Sequence, residues 1–189
     1  GLPILALSYP WHSKHHPDPQ GSQLQQLLPL LEAVQEVLDE REAVLKANLP
    51  PAQADGAPAH HLTALGAWDG GKPLTWGVLW DFGSLHQHPD PASGVLRTEE
   101  QNALFKQGLG CLGTLYSHPY TFVLRLTSFP DGHKAEDQAE GTNVAKYFDR
   151  GWCATENAWA SLTKSSNLSL DLGLMRDRES YHFNNLILD

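Results

Sequence analysis

The sequence predicts an α/β fold of three layers, a five-stranded parallel sheet flanked by helices. Three observations predict it. Short, nearly continuous apolar runs suit strands buried on both faces. Between them, apolar residues recur at helical spacing. The two kinds of segment alternate along the 189 residues, which makes neighbouring strands parallel and puts the crossover helices on the sheet faces. At that length a single domain spanning residues 1–189, with one core, is expected.

The first strand is expected at residues 4–9 (ILALSY). From Gly21 to Leu45 the apolar positions Leu24, Leu27, Leu28, Leu31, Val34, Leu38 and Leu45 follow a helical period. Pro29 falls inside that pattern, so the helix either kinks there or begins there. Residues 50–61 are rich in Pro, Ala and Gly and read as a mobile loop. A second strand is expected at residues 74–80, ending at Asp81. Thr98 and Gln101 form a capping box that opens a helix carrying Leu104, Phe105, Leu109, Leu112, Leu115 and Tyr116. Gly108, Gly110 and Gly113 lower its propensity but permit close packing on a sheet. The third strand is expected at residues 121–129, followed by a polar, flexible segment at 131–143. A helix from near Asp149 towards Leu162 comes next, and residues 168–172 and 183–188 supply two further strands. Five strands in this arrangement suggest a flavodoxin-like order, in which ligands bind beyond the carboxyl ends of the strands at the switch point.

Composition removes several classes of function. Hydrophobic residues are 41% of the chain and charged residues 19%, the usage of an ordinary folded domain rather than a disordered one. The formal net charge is −9 with no Lys/Arg run, which argues against nucleic acid as the partner, because neutralising phosphates takes clustered cations. No apolar run approaches the roughly 18 residues of a membrane span. Gly1-Leu2-Pro3 lacks the basic start of a signal peptide, so a cytoplasmic location is expected, with the chain cut from something longer. Cys111 and Cys153 match no metal or disulfide spacing, and both are expected as buried, reduced thiols. Of ten histidines, seven cluster at positions 12–16, 60–61 and 86–88, but in Pro-rich loops without ligand spacing, so no metal is expected.

The switch-point rule gathers Ser8, Tyr9, Pro10, Trp11 and His12 with Asp81, Phe82, Gly83 and Ser84 on one sheet edge. A near-repeat, His16-Pro17-Asp18-Pro19 and His88-Pro89-Asp90-Pro91, reads either as two turn segments or as two lips of one pocket. In the last predicted helix, Trp152 and Glu156 stand at i and i+4 on one face. An aromatic plane beside a carboxylate can hold a flat heterocycle on one and a sugar on the other. Each residue also has a plainer role open to it: Glu156 as a solvated charge in the first turns of a helix, Trp152 as core, Asp81 as a helix cap.

Trp152-Cys153-x-x-Glu156, after a strand and a loop, resembles the Trp-Cys-x-x-Glu motif on the third helix of TIR domains. Residues 4–9 resemble the first TIR strand, Trp76 to Asp81 the second, and Leu115-Tyr116 with residues 121–127 the end of the second helix and the third strand. The resemblance runs in order over residues 4–164. The segments Trp11 to Gly21, Asp81 to Gln87 and Arg150 to Cys153 are similar to a divergent TIR-like group of microbial eukaryotes. Many TIR domains cleave NAD⁺ at the nicotinamide–ribose bond, in immune or cell-death signalling. The resemblance therefore implies an NAD⁺ nucleosidase with NAD⁺ as substrate, no separate cofactor, and self-association as its mode of assembly. It implies Glu156 as the catalytic residue, Trp152 stacking on a base, and Ser8, Tyr9, Trp11 and Asp81 as substrate-binding. The phosphates would meet loop N–H groups, since Arg and Lys are scarce there.

The chain departs from the family pattern in Pro10-Trp11-His12 after the first strand and in a long, Pro-rich loop after Asp81, which puts self-association through that loop in doubt. Two alternatives stand beside the enzyme: a non-catalytic adaptor that uses the fold for self-association, and a nucleoside deoxyribosyltransferase-like enzyme, which shares the architecture and uses a glutamate on a glycosidic bond.

Overall fold

The apolar run at the start of the chain forms an interior strand. A computed structural model describes residues 4–48, 76–89, 93–119, 121–128, 136, 138, 140–164 and 168–174. In it β1 (Ile4–Ser8) pairs in parallel with β2 (Gly77–Leu79) on one side and β3 (Thr121–Arg125) on the other. β4 (Ser169–Asp171) extends the sheet beyond β3, again in parallel. The order β2-β1-β3-β4 changes direction between β1 and β3, so the carboxyl ends of those two strands flank a switch point. This is an α/β fold whose four described strands form a parallel sheet flanked by helices, compatible with a flavodoxin-like fold. The fifth strand expected at 183–188, the loop at 50–61 and most of 131–143 lie outside the described residues.

Strand alternation builds the layers. Leu5 and Leu7 of β1 and Phe122 and Leu124 of β3 point to one face, where they meet Leu27, Leu30 and Val34 of α1 (Ser22–Asn48). Ala6 and Val123 point to the other, against Leu112 and Tyr116 of α3 (Glu99–Ser117) and Ala160 of α4 (Gly151–Thr163). Each fully buried Leu adds about 1.5–3 kcal/mol of apolar transfer, so both helix layers are held chiefly by this contact. Tyr116 is fully buried, and its hydroxyl donates to the Leu7 carbonyl at 2.6 Å, which satisfies the polar end of an otherwise apolar side chain.

Several local expectations take specific form. α1 begins at Ser22 and runs through Pro29 rather than starting there. Leu28, counted on its apolar stripe, is exposed, while Leu30 is buried. The capping box is complete: the Gln101 N–H donates to Thr98 Oγ1 at 3.1 Å, and the Thr98 N–H donates to Gln101 Oε1 at 3.0 Å. The α3 glycines do not serve the sheet. A Cβ at Gly108 would overlap Leu85, and one at Gly113 would stand 3.2 Å from the Trp159 ring, so two of them permit close approach by a loop and by α4. Cys153 is buried as expected, but Cys111 is exposed, because α3 turns Leu112 inward and its neighbour outward. Among the described residues no helix is long and apolar enough to cross a membrane.

Candidate active site

The segments leaving β1 and β2 meet at a carboxylate. α2 (Asp81–Ser84) starts directly after β2, and Asp81 faces the residues that follow β1. The Tyr9 hydroxyl donates to Asp81 Oδ1 at 2.6 Å, the Phe82 N–H to the same oxygen at 2.7 Å, and Trp11 Nε1 to Oδ2 at 3.0 Å. The Trp11 ring packs edge-on against Phe82, with centroids 5.7 Å apart. Asp81 is thus a half-buried anchor for both aromatics, and its side chain does not cap the helix from outside, since Trp80 holds that position. Burial raises its pKa, and the donors from Tyr9, Phe82 and Trp11 counteract that rise.

Glu156 approaches the same edge from α4. It is 6% exposed, which excludes the solvated-carboxylate role. Ser8, fully buried at the end of β1, donates through Oγ to Glu156 Oε2 at 2.6 Å. The Tyr147 hydroxyl lies 2.5 Å from the same Oγ. Burial lifts the Glu156 pKa to about 7; the Ser8 hydrogen bond opposes the shift, the Asp81 charge adds to it, and the nearby Tyr116 hydroxyl lowers it. Tyr116 contributes little as a donor here, because its proton is directed at the Leu7 carbonyl. The result is a carboxyl group that changes charge near neutrality, where proton donation and proton acceptance are both accessible. Neighbouring Cys153 is pushed up to about 12, by burial first and by the Glu156 charge next, so it stays a thiol.

A cleft of about 560 Å³ opens over this carboxyl, a size typical of small-molecule sites. Of the residues singled out from sequence, Tyr9, Trp11, Asp81, Trp152 and Glu156 all line it. Trp152 is 57% exposed at its wall, so it is not core. Ser8 is the exception. Its hydroxyl is occupied by Glu156 and Tyr147 beneath the cleft, which corrects the expectation that it flanks a ligand. The physical reason is strand parity, which sends Ser8, like Ala6, into the layer of α3 and α4. Among the described residues of the two histidine repeats, none lines this cleft. The His16 ring packs tilted against Phe82, with centroids 4.6 Å apart, and His88 Nδ1 accepts from the Arg97 N–H at 3.0 Å, so their described residues support turns. Among the described residues no group of three or more His, Cys, Asp or Glu could hold a metal ion.

Two residues of the site had no role in the sequence reading. Arg150, at the N-cap of α4, lines the cleft. Its Nε donates to the Ala145 carbonyl at 2.9 Å, and its terminal nitrogens donate to the Trp11 and Asn143 carbonyls at 2.5 Å each. It therefore ties the segment before α4 to the segment after β1, and it brings a cation where none was expected. A signal was present, because a positive charge at a helix N-terminus opposes the macrodipole and needs another reason to be there. Tyr147 begins a 3-10 turn, Tyr147–Asp149, just before α4. No local pattern marks it, since its partner Ser8 is 139 residues away in sequence.

Against known proteins, the chain matches no family model, no curated protein and no solved structure.

Proposed function

We propose that this chain is a TIR-like NAD⁺ nucleosidase of flavodoxin-like fold, with Glu156 acting at the nicotinamide–ribose bond. The observation that carries this reading is one carboxyl group: Glu156 is buried, titrates at about 7, and lines a cleft beside the carboxyl edge of a parallel sheet. The Trp-Cys-x-x-Glu resemblance supplies the substrate class, and the chemistry suits the site. As the C1′–N bond breaks, its electron pair leaves with nicotinamide, which departs neutral, and positive charge develops on the ribose. The ionised Glu156 stabilises that charge in a partly dry environment. Water then adds to C1′, and the proton it loses passes to the carboxylate, giving ADP-ribose. Capture by a nitrogen of the adenine gives a cyclic variant instead.

The other lining residues take parts in this scheme. Trp152, exposed at the cleft wall, offers a stacking face for one of the two bases. Tyr9 and Trp11 are held rigid by Asp81 and form the wall beside the reacting sugar. Thermal melting of the chain with NAD⁺ or ADP-ribose tests the binding half of the proposal, because a ligand at 100 times its Kd stabilises by about 2.7 kcal/mol. No shift with either ligand would count against it.

A second reading, a non-catalytic self-association module, draws support from a separate observation. Val144, Phe148 and Trp152 are all exposed around the start of α4. An apolar rim of this kind suits contact with another copy. It predicts assembly that grows with concentration and a melting temperature indifferent to NAD⁺.

A further inference from the structure

We infer that Tyr147 is a positioning residue for Glu156, acting through Ser8 as the outer member of a one-directional hydrogen-bond chain. The inference deepens the nucleosidase reading and rests on it only for the reaction that the chain serves.

Proton counting sets the direction. An ionised carboxylate only accepts, so the 2.6 Å contact requires the single Ser8 proton to point at Glu156 Oε2. With that proton spent, the 2.5 Å contact requires the Tyr147 hydroxyl to donate to Ser8 Oγ. The order is therefore Tyr147 to Ser8 to Glu156. Burial makes the order strict: Ser8 is 0% exposed and Tyr147 2%, so bulk water does not compete for either hydroxyl. In such surroundings each hydrogen bond polarises the next, and the charge on the last member is favoured more than one donor alone would achieve.

The three residues come from three places: the end of β1, the 3-10 turn and α4. Anchoring Oε2 fixes the plane of the carboxylate relative to the sheet. It also couples that carboxylate to the cleft wall, because Tyr147 sits between Ala145 and Asp149, both of which line the cleft. Arg150 holds this wall by its bonds to the Ala145 and Asn143 carbonyls. A ligand that shifts the wall shifts the donor behind Ser8, and with it the proton affinity of Glu156.

Other groups face the pair and set the background. Asp81 from α2, Tyr116 from α3 and Cys153 from α4 surround Glu156, and Arg125 from β3 acts on Tyr147 together with Cys153. Asp81 raises the Glu156 titration, and the Arg125 charge favours ionisation of Tyr147. Neither replaces a hydrogen-bond donor to Oε2.

The test needs no substrate. The side-chain carboxyl carbon of Glu156 is followed by NMR against pH in ¹³C-glutamate-labelled protein, its signal assigned by its loss in Glu156→Gln. Ser8→Ala should raise the midpoint by about one pH unit, the usual scale for losing a hydrogen bond to the charged form. Tyr147→Phe, which removes one oxygen and keeps the ring, should raise it by several tenths. In a Ser8→Ala background, Tyr147→Phe should then add nothing. An unchanged or lowered midpoint in Tyr147→Phe overturns the inference, as does an equal effect in both backgrounds. NAD⁺ cleavage is measured on the same samples: a wild-type protein that does not release nicotinamide sinks the functional reading and leaves the titration result standing.

Discussion

Replacing Glu156 by Gln should make the protein more stable at alkaline pH relative to the effect of the same substitution in acid. The carboxyl group rises from an ordinary 4.5 to about 7 on folding, mainly through burial. Its folded-state pKa lies above its unfolded value, so between pH 4.5 and 7 the folded protein retains a proton that the unfolded chain has released. Stability accordingly falls as pH rises through that window and stays low above it. At about 1.4 kcal/mol per pH unit, the full penalty is about 3 kcal/mol at pH 8, and under about 1 kcal/mol at pH 5. Glutamine has no proton to lose and can still accept from Ser8, so it escapes the penalty. Its amide introduces a pH-independent offset, which the comparison of two pH values removes. Urea denaturation of both proteins at pH 5 and pH 8 measures the difference, and about 2–3 kcal/mol is readable against the 5–15 kcal/mol of a typical domain. A Gln-minus-Glu difference that is the same at both pH values would refute the reasoning, because it would mean that Glu156 titrates as an exposed carboxylate.

The remaining expectations concern the groups around that carboxyl. Asp81→Asn removes a negative charge that raises the Glu156 titration, so the midpoint should fall below that of wild type in the same NMR experiment. Arg150→Ala breaks three bonds to the Trp11, Asn143 and Ala145 carbonyls; it should cost about 2–3 kcal/mol in a urea titration and speed hydrogen exchange at the Asn143 amide, which donates to the His12 carbonyl at 2.7 Å. Thr98→Ala removes half of the α3 capping box, at a residue that does not line the cleft, and should cost about 1 kcal/mol with no change in the pH dependence.

What sequence reasoning captured follows from which signals are local. The capping box at Thr98 and Gln101, the apolar runs of β1 and β3, and the i, i+4 pairing of Trp152 and Glu156 each depend on residues a few positions apart, and each appears in the structure. The gathering of Tyr9, Trp11 and Asp81 also came through, because a parallel sheet brings its carboxyl ends together whatever the loops contain. Ser8 went astray for a reason that parity explains: two residues from Ala6, it belongs to the layer beneath the cleft, and a list of residues past a strand end does not distinguish lining from support. Tyr147 was illegible because its partner Ser8 lies 139 residues away, brought close only by the completed fold, whereas Arg150 carried one legible signal, a cation at a helix N-terminus, although its bond to the Trp11 carbonyl spans as many residues. Cys111 shows the limit of periodicity, since one residue of helical rotation separates it from buried Leu112.

The central claim, that Glu156 cleaves an N-glycosidic bond in this cleft, is tested most directly by nicotinamide release from NAD⁺ at pH 7, with wild type and Glu156→Gln compared at the same high protein concentration. The account predicts release by wild type and its near-complete loss in the variant, while NAD⁺ still raises the melting temperature of both. Equal release by the two proteins, or none by wild type, would contradict it.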